Sequence, residues 1–597
     1  MTITKHILIW ISILQYIFSR EEIEIADYTY PKREEDPQDI YTICILHTND
    51  IHGTYFPTKI KTPKGGEYER GGLEYLGKYI SILRDEWKDR FLYLDGGDQF
   101  QGGLESKMTN GSIITEFLNK MKVNMTALGN HEWDFGQEFL KERMHSSEFK
   151  YVIANMEDEQ GNPIVFGDNQ VLTATVQVGK VKVGIIGITT ILTVETTSGD
   201  LSGMRFLDYP TIITKHASAL RKEANCVIRL AHVGLKCLKD GNAKLDIKIR
   251  DKTTPQKECN QADEIYKLLR KLPKGTVDAV LAAHKHDVTH HWVYETPVMS
   301  NDRNGQFASV MYLNFDVKNN YQLIKDKIQF ESPLPVCSKV FTNTKRCEIP
   351  ANETVETEYG DLIAFSFHGI SMEKEPLLAE ITEKYKDEHD KALKDVLTST
   401  NELFYQAKEG EAALGNLYCD YYRKITGSDV CIVNSGAFRT HWTPGNVSYA
   451  TLYSMFPFEN RVVSFYITGV ELKRMINEAQ TGVYSFYPTS GLKQVVYQKG
   501  IIKKLLSVTL FDGYEEKPIE DTKLYKVSTN DFCVPLKEGV KGGDDFRKIT
   551  EWMKPRNKKD EGEPRDLMRK YLLTYPQLKT SYFMDADNPR LRVIKVE

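Results

Sequence analysis

The sequence has 597 residues, too many for one hydrophobic core, and so predicts two or more domains. Apolar residues make up 41% of the chain and charged residues 27%, which is an ordinary globular balance. The net charge of -5 provides no positive field for a polyanion, and we therefore exclude nucleic acid as a partner.

Residues 1–20 have the pattern of a secretory signal peptide. Lys5 precedes a mostly apolar run from His6 to Phe18, and a polar exit beginning at Ser19 follows. The alternative is a buried N-terminal helix. No later stretch approaches the roughly 20 apolar residues of a membrane span, and residues 589–597 have no hydrophobic tail that would direct a lipid anchor. The sequence therefore predicts a secreted, extracellular protein without a membrane anchor.

Short apolar runs alternate with helical patterns between residues 40 and 335. Strands are predicted from Ile43 to Leu46, Phe91 to Leu94, Val181 to Ile188, Cys226 to Leu230, Ala279 to Ala282 and Val310 to Phe315. Helices are predicted from Leu73 to Lys88, Ile113 to Met121, Pro210 to Ala224 and Ala262 to Leu272. This alternation is typical of a layered α/β domain whose functional loops follow the strand ends.

A long charged helical pattern separates this region from the rest of the chain. It runs from Glu373 to Leu397 and predicts a solvent-exposed connector between two domains. Residues 400–597 have the mixed pattern of a second, α+β unit. We therefore place the first domain at residues 40–345, the linker helix at 372–397 and the C-terminal domain at 398–597.

Nine cysteines are compatible with an oxidising compartment, and their odd number leaves at least one thiol unpaired. Cys44 and Cys226 lie in strand-like apolar runs and are predicted to be buried free thiols, and Cys533 has no obvious mate. Plausible disulfides are Cys237–Cys259, Cys337–Cys347 and Cys419–Cys431. Glycosylation sequons occur at Asn110, Asn124, Asn352 and Asn446.

Five segments place metal-binding side chains directly after predicted strands. In chain order they carry Asp50-Ile51-His52, Asp98 after two glycines, Asn130 in a Gly-Asn-His-Glu run, His232, and His284-Lys285-His286. One histidine at a strand end is more often a satisfied surface or core residue. A series of such segments predicts a common site, and their Asp, His and Asn ligands suit zinc or another small divalent ion.

In this order the motifs resemble those of the calcineurin-like metallophosphoesterases, and more closely those of the 5'-nucleotidase/apyrase family. The resemblance extends over about residues 40–590. It implies a four-layer α/β/β/α N-terminal domain and an α+β C-terminal nucleotide-binding domain, joined by the linker helix.

The resemblance also implies two divalent metal ions, with zinc favoured and calcium, magnesium or manganese as alternatives. The implied ligands are Asp50 and His52 of one ion, the bridging Asp98, and Asn130, His232 and His284 of the other, with His286 as an extra candidate for the first. His131 resembles the family's catalytic histidine, and Asp134 resembles the carboxylate that orients it. Such a pair fixes the tautomer of the ring and favours its cationic form.

The C-terminal domain contains the residues that the resemblance assigns to the substrate. Asn434, Gly436 and Arg439 match a family Asn-x-Gly-x-x-Arg motif, in which the guanidinium binds phosphate. The remaining candidates are Phe458 and Phe532 on either side of the base, Asp544 at the ribose hydroxyls, and Lys408 where the family has a phosphate-binding arginine. Cys419 and Cys431 also match a disulfide of the family.

We therefore expect a secreted, apyrase-type nucleotide phosphohydrolase that converts ATP and ADP to AMP and phosphate. It resembles the salivary apyrases of blood-feeding arthropods, which implies a role in limiting platelet aggregation. One alternative is a soluble 5'-nucleotidase that acts on AMP. Others are a secreted non-catalytic protein that binds nucleotides or a receptor, and a broader phosphodiesterase or sugar-nucleotide hydrolase. The sequence leaves the metal identity and the oligomeric state open.

Overall fold

The computed structural model describes residues 28–30, 32–197, 199–237, 253, 258–348, 357–406, 410–482, 486–537 and 541–596. The predicted signal peptide and the candidate substrate residue Lys408 therefore lie outside the described residues. Over the described ranges, no helix combines the length and the apolar character needed to cross a bilayer.

The N-terminal domain contains two sheets, which we call the first and the second sheet. In the first sheet, Ile40–Thr48 pairs antiparallel with Phe307–Asp316 and parallel with Phe91–Asp95. Parallel strands continue the sheet beyond Phe91–Asp95 at Met125–Ala127, Lys150–Val152 and Gln170–Val171. Short strands also pair with Phe307–Asp316, at Gln322–Leu323, Gln329–Phe330 and Leu334–Pro335.

The second sheet has a parallel centre with an antiparallel strand at each edge. Its parallel strands are, in spatial order, Val181–Thr189, Cys226–His232, Ala279–Leu281 and Thr296–Ser300. Thr173–Val178 and Thr289–Val293 form the edges. Both faces of its central strands are buried, which explains why Cys226–His232 is apolar almost throughout and does not alternate.

The two sheets pack face to face between two layers of helices. Ile45 of the first sheet and Ile228 of the second belong to one shared core, whereas Cys44 and Leu46 point into a separate core under the helices, as the two-residue period of a strand requires. The helices Leu73–Trp87 and Ser112–Lys120 cover the first sheet, and Tyr209–Leu220 and Glu264–Lys271 cover the second. The predicted four-layer α/β/β/α architecture is confirmed.

The predicted elements of this domain all occur, and their ends shift by a few residues. For example, the strand predicted from Val310 extends from Phe307 to Asp316, and the helix predicted from Pro210 to Ala224 is Tyr209–Leu220. Helix ends fray and are the least predictable part of an element. Shorter helices are Leu104–Met108, Gln137–His145 and Thr193–Thr196, and small strand pairs join Thr58–Lys61 to Glu67–Arg70, Met156–Glu157 to Arg205–Phe206, and Val340–Phe341 to Leu362–Ile363.

The helix Ala379–Lys394 lies within the predicted linker. Ile381 is its buried residue, and most of its other side chains face solvent, as the charged pattern predicts. Tyr385 donates a hydrogen bond to Glu116 of the N-terminal domain at 2.6 Å. Nearby, Leu104 of that domain packs against Ala450 and Tyr453 of the C-terminal domain, so both domains meet beside the linker.

The C-terminal domain contains a mixed sheet and a four-stranded hairpin sheet. The mixed sheet has the spatial order Thr489–Ser490, Val430–Ile432, Leu524–Asn530, Val462–Thr468 and Arg556–Gly562. The hairpin sheet has the order Glu516–Lys517, Ile502–Phe511, Leu492–Lys499 and Leu591–Val596. The helices are Ala413–Thr426, Tyr449–Met455, Gly469–Thr481, Phe546–Trp552 and Pro564–Leu572, and Val396–Thr400 pairs with Gly445–Ser448.

The cysteine predictions were right in most places and wrong in one. Disulfides join Cys237 to Cys259 and Cys337 to Cys347, and the predicted free thiols are free and buried. The predicted disulfide between Cys419 and Cys431 was wrong, because both are free, buried thiols. The thiol of Cys419 donates a hydrogen bond to the carbonyl of Pro488 at 3.4 Å, and burial raises its pKa well above the ordinary value.

A buried acid and a buried base meet where the linker helix contacts the N-terminal domain. Nδ1 of His389 lies 3.5 Å from Oε1 of Glu105, and the ring of His389 stacks on Phe56 with centroids 4.1 Å apart. The distance would suit an ion pair, but burial raises the pKa of Glu105 to about 7 and lowers that of His389 to about 4. Burial therefore outweighs their attraction and favours the neutral form of both groups.

We expect Glu105→Gln to stabilise the protein at pH 8 and to have little effect at pH 5. The folded state holds the Glu105 proton more tightly than the unfolded state does. The free energy of unfolding therefore falls as pH rises from about 4.5 through 7, in total by on the order of 3 kcal/mol. The melting temperature at both pH values, compared with wild type, measures the effect and should rise by a few degrees at pH 8. Glu138→Gln, at an exposed glutamate, is the control for charge removal. An equal change at both pH values would contradict this assignment.

Candidate metal centre and active site

The five metal-binding segments meet at the carboxyl-terminal ends of the strands. In the first sheet, Asp50 and His52 follow Ile40–Thr48, and Asp98 follows Phe91–Asp95. His232 is the last residue of Cys226–His232 in the second sheet. Because the parallel strands of a sheet end at the same edge, and the two sheets face each other, the loops from both sheets converge on one place.

Two groups of ligand atoms form there, and they share one residue. Asp50, His52, Asp98 and His286 form one group, and Asp98, His232 and His284 form the other. Within each group the ligand atoms all lie within 4.8 Å of one another. The structure thus places Asp98 between two candidate cation positions, as the bridging role requires, and brings His286 into the first group.

The hydrogen bonds leave one unsatisfied atom on each of several ligands. Oδ2 of Asp50 accepts from the Asn49 side chain at 2.6 Å and from the His284 amide at 3.0 Å, while Oδ1 of Asp98 accepts from the His131 amide at 2.8 Å. Among these residues, Oδ1 of Asp50, Oδ2 of Asp98, Oδ1 of Asn130 and Nε2 of His232 are buried without a well-formed hydrogen bond. Oδ1 of Asp50 lies 3.1 Å from Nε2 of His286, and Oδ2 of Asp98 lies 3.1 Å from Nε2 of His232. Such atoms each cost about 1–3 kcal/mol, and coordination of a cation would satisfy them together. The donor set therefore fits two divalent ions.

The histidines have the tautomer that metal binding needs. Nδ1 of His52 donates to the Gln101 carbonyl and Nδ1 of His232 donates to the Gly96 carbonyl, each at 2.8 Å. Because a carbonyl only accepts, each Nδ1 carries a proton, and Nε2 is the nitrogen of each ring that faces the candidate cation positions. Nε2 of His232 lies 3.1 Å from Oδ2 of Asp98, and this carboxylate outweighs burial and raises the pKa of His232 to about 10. By contrast, burial holds the pKa of His52 and His284 well below the ordinary value, and a neutral imidazole is the coordinating form.

Many of these residues have strained backbones. The φ angles of Asp50, His52, Asp98, His284 and His286 are 53°, 50°, 57°, 74° and 51°. Residues with a Cβ rarely adopt this left-handed conformation, which costs about 1–3 kcal/mol each. Its concentration at one place indicates that the fold maintains the side-chain positions at the expense of local backbone stability.

His131 and Asp134 lie beside the cation positions as a hydrogen-bonded pair. Nδ1 of His131 is 2.6 Å from Oδ2 of Asp134, and the other oxygen of Asp134 accepts from the Thr197 hydroxyl at 2.7 Å. Burial by itself would lower the pKa of His131, but the carboxylates of Asp134 and Asp98 hold it above the ordinary value. The His131 ring lies 5.6 Å from the His52 ring, centroid to centroid. Sequence reasoning missed Thr197, since nothing local marks it.

Two candidate substrate residues reach this place from the C-terminal domain. Nη2 of Arg439 donates to Nε2 of His52 at 3.2 Å, and its guanidinium carbon lies 5.6 Å from the centre of the Phe458 ring. The Phe458 ring is in turn 5.8 Å from the His131 ring. Burial lowers the pKa of Arg439 to about 10, so the guanidinium stays charged at neutral pH.

Asn434, Gly436 and Asp544 form a second part of the C-terminal contribution. Nδ2 of Asn434 donates to Oδ2 of Asp544 at 3.4 Å, and a Cβ at Gly436 would lie 3.9 Å from the same oxygen. The Asp544 amide donates to the Glu195 carbonyl of the N-terminal domain at 3.2 Å, and its φ of 49° is left-handed. Burial raises the pKa of Asp544 to about 7.

Phe458 and Phe532 lie on loops from the same end of two paired strands. The loops are joined by a hydrogen bond from Asn460 to Asp531 at 2.9 Å. The Phe532 ring packs on Gly543, where a Cβ would overlap the ring. Phe458 instead faces His131 and Arg439. The sandwich of a base between the two rings stays a prediction.

Comparison with known proteins gives these features a family. A model described as calcineurin-like phosphoesterase matches residues 44–288, and one described as 5'-nucleotidase, C-terminal domain, matches residues 395–546. The chain is a calcineurin-like phosphoesterase with a 5'-nucleotidase C-terminal domain. It is accordingly a phosphoric ester hydrolase. Calcineurin-like phosphoesterases use a binuclear divalent metal site, and the two groups around Asp98 are the candidate for it.

Relatives of this phosphoesterase include insect and bacterial proteins. It is 24% identical to a "5'-nucleotidase-related protein" of Glossina morsitans morsitans, over 86% of this chain and 89% of that protein. It is 24% identical to an "Apyrase" of Anopheles gambiae, over 76% of this chain and 74% of that protein. The crystal structure of a 5'-nucleotidase precursor from Thermus thermophilus has the same fold, with a TM-score of 0.71 and 20% identity over 93% of this chain and 99% of that one.

The loops of the phosphoesterase site are joined by Glu132, which sequence reasoning did not single out. Its carboxylate accepts from the amides of Asp98 at 2.9 Å and Gln99 at 2.5 Å, and also from the amide of Gly129. A Cβ at Gly129 would overlap the Asp98 carboxylate. Glu132 thus joins the loop that carries Asp98 to the loop that carries Asn130. Glu132 belongs to the Gly-Asn-His-Glu run that the sequence analysis identified, but roles were predicted there only for Asn130 and His131.

We expect Glu132→Gln to weaken divalent metal binding about 10- to 100-fold, in the range found for residues that support metal ligands. The amide NH₂ group of glutamine would face backbone N–H groups that now donate to a carboxylate. Equilibrium dialysis against zinc or manganese, with metal analysis by mass spectrometry, measures the affinity. The control is Glu138→Gln, at an exposed glutamate in the next helix. Unchanged affinity in a folded Glu132→Gln protein would contradict the role assigned to this carboxylate.

Proposed function

We propose that this phosphoesterase is a secreted, apyrase-type enzyme that hydrolyses ATP and ADP to AMP and phosphate. The observation that carries the proposal is the position of Arg439 and Phe458 beside the candidate metal ligands. Nη2 of Arg439 lies 3.2 Å from Nε2 of His52, and the centroid of the Phe458 ring lies 5.8 Å from that of the His131 ring. A guanidinium recognises phosphate through parallel hydrogen bonds, and an aromatic face recognises a base by stacking. A substrate with both groups is a nucleotide.

In the proposed site, Asp50, His52 and His286 would hold one divalent ion, Asn130, His232 and His284 would hold the other, and Asp98 would contribute to both positions. The mixed nitrogen and oxygen donors favour zinc. When bound, two such ions lower the pKa of a coordinated water and polarise the phosphoryl oxygens.

The side chains of the chain itself supply positioning and charge. Arg439 donates hydrogen bonds to the phosphate and compensates its negative charge. His131, oriented by the 2.6 Å hydrogen bond to Asp134, donates a hydrogen bond to the phosphoryl group and its leaving oxygen. At the ribose, the Asp544 carboxylate accepts hydrogen bonds and the Asn434 side-chain amide donates one. Phe458 and Phe532 bind the base, and Lys408 adds a positive charge near the phosphates.

Three observations support secretion and the choice of substrate. Residues 1–20 have the composition of a signal peptide, and the disulfides Cys237–Cys259 and Cys337–Cys347 are typical of oxidising compartments. The similar protein of Anopheles gambiae is named an apyrase, which favours ATP and ADP. An exported apyrase would remove ADP outside cells and so limit platelet aggregation.

The first test is phosphate release from ATP, ADP and AMP by purified protein with calcium, magnesium or zinc added. We expect release from ATP and ADP and none from AMP. Asp98→Ala should lower the rate by at least about 100-fold, because both cation positions lose a ligand. Loss of bound metal, measured by mass spectrometry, should accompany the loss of activity.

Each other result selects a different function. Release from AMP would identify a soluble 5'-nucleotidase, which the 5'-nucleotidase C-terminal domain also favours. Equal hydrolysis of simple phosphodiesters would indicate a broader phosphodiesterase. No release from any substrate, with wild type and Asp98→Ala indistinguishable, would leave a non-catalytic binding protein.

Phe458→Ala should raise KM for ADP about 5- to 100-fold, because stacking on one base contributes about 1–3 kcal/mol. Phe458→Tyr keeps an aromatic face and should retain most of the affinity. Inorganic tripolyphosphate has no base, and its KM should be the same in all three proteins. If Phe458→Ala raised KM for tripolyphosphate and for ADP equally, the ring would be positioning Arg439 or His131 and not binding a base.

A further inference from the structure

The hairpin sheet of the C-terminal domain ends in an exposed apolar turn. The strands Leu492–Lys499 and Ile502–Phe511 are joined by two residues, Gly500 and Ile501, and Gly500 has a φ of 56°. Ile501 is 78% exposed and Ile502 is 68% exposed. We call residues 494–508 together with 591–596 the hairpin end. Two adjacent isoleucines exposed at a turn are a feature that folding of this domain does not explain.

Further apolar side chains lie beside this turn on one face of the sheet. Lys499 pairs with Ile502 on one side and with Val596 on the other, so the three side chains form a row. Two residues further from the turn, Tyr497 pairs with Lys504 and Ile594. Residues two apart on a strand share a face, so both rows belong to the same surface. Val596 is 43% exposed, and that surface therefore alternates apolar and basic groups.

The hairpin end is also strongly basic. Its five charged residues are all positive, namely Lys499, Lys503, Lys504, Arg592 and Lys595, in a chain whose net charge is -5. The acidic residues of this sheet lie at its opposite end, where Lys493 pairs with Glu516 at 2.8 Å. Glu597 lies outside the described residues.

We propose that the hairpin end binds the surface of an anionic phospholipid membrane. Ile501 and Ile502 would enter the boundary between headgroups and acyl chains. Lys499, Lys504 and Arg592, which share the sheet face of Ile502, would lie among the anionic headgroups, whereas Lys503 and Lys595 lie on the opposite face. Amphipathic helices that bind membrane surfaces likewise combine exposed apolar side chains with lysine and arginine. An acidic soluble protein would complement the charge but would leave the protruding isoleucines exposed. The proposal goes beyond nucleotide hydrolysis, because it places the enzyme on cell surfaces.

Sedimentation of the purified full-length mature protein with lipid vesicles tests the proposal. We expect binding at 0.1 M salt to vesicles of three parts phosphatidylcholine and one part phosphatidylserine, weaker binding at 0.5 M salt, and little binding to phosphatidylcholine alone. Ile501→Ser/Ile502→Ser should reduce partitioning at least about tenfold. Lys499→Glu/Lys504→Glu should reduce it by at least about 25-fold, on the order of fivefold for each basic residue lost.

The matched control is Tyr514→Ser, which removes a 98% exposed aromatic residue at the other end of the same sheet and should bind as wild type does. Hydrolysis of a nucleotide in solution should be equal in all variants, which separates this test from that of the enzyme activity. Absence of vesicle binding at 0.1 M salt, or binding that neither double variant weakens, would overturn the proposal. So would self-association through the hairpin end without lipid binding.

Discussion

The burial of two aspartates and several histidines at the meeting edge of two sheets is the constraint on which the rest of the structure depends. Carboxylates without compensation are unstable in a protein interior, and here Asp50 and Asp98 each keep one oxygen without a hydrogen bond. The surrounding groups hold these oxygens in place, and bound cations would compensate their charge. Glu132 accepts hydrogen bonds from three amides of two loops, and the backbone of five candidate ligands is held in the left-handed region, namely Asp50, His52, Asp98, His284 and His286.

The C-terminal domain completes a site that the N-terminal domain only begins. The candidate metal ligands come from the two N-terminal sheets, whereas the candidate substrate residues Arg439 and Phe458 come from beyond the linker helix. Polar contacts join the two domains beside this site, such as the hydrogen bond from the Asp544 amide to the Glu195 carbonyl. Burial beside the linker also keeps Glu105 and His389 away from water and favours the neutral form of each group. The arrangement of the two domains thus decides whether the candidate substrate residues lie near the candidate metal ligands.

The two ends of the C-terminal domain have opposite characters. Near the candidate substrate residues, buried polar groups bond to one another, as with Asn434 between Asn530 and Asp544. At the hairpin end, isoleucines and lysines are exposed together. Exposed apolar groups do not stabilise a fold, so their presence is better explained by a contact outside the molecule. A phosphohydrolase with both features would combine a nucleotide site with attachment to a surface.

The sequence by itself determined the layered α/β character of the N-terminal domain, the positions of its main strands and the five segments with candidate metal ligands, while the four layers and the ligand assignments were implied by the family resemblance. This was possible because a buried strand followed at once by Asp, His or Asn is a local pattern, and the edges of parallel sheets bring such patterns together. Only the tertiary structure decided the partners that come from distant loops. Thr197 reaches Asp134 across 63 positions, Cys419 donates to Pro488 and does not form a disulfide with Cys431, and Arg439 reaches His52 across 387 positions. Such contacts depend on how the sheets, loops and domains pack, and packing leaves no periodic trace in the chain.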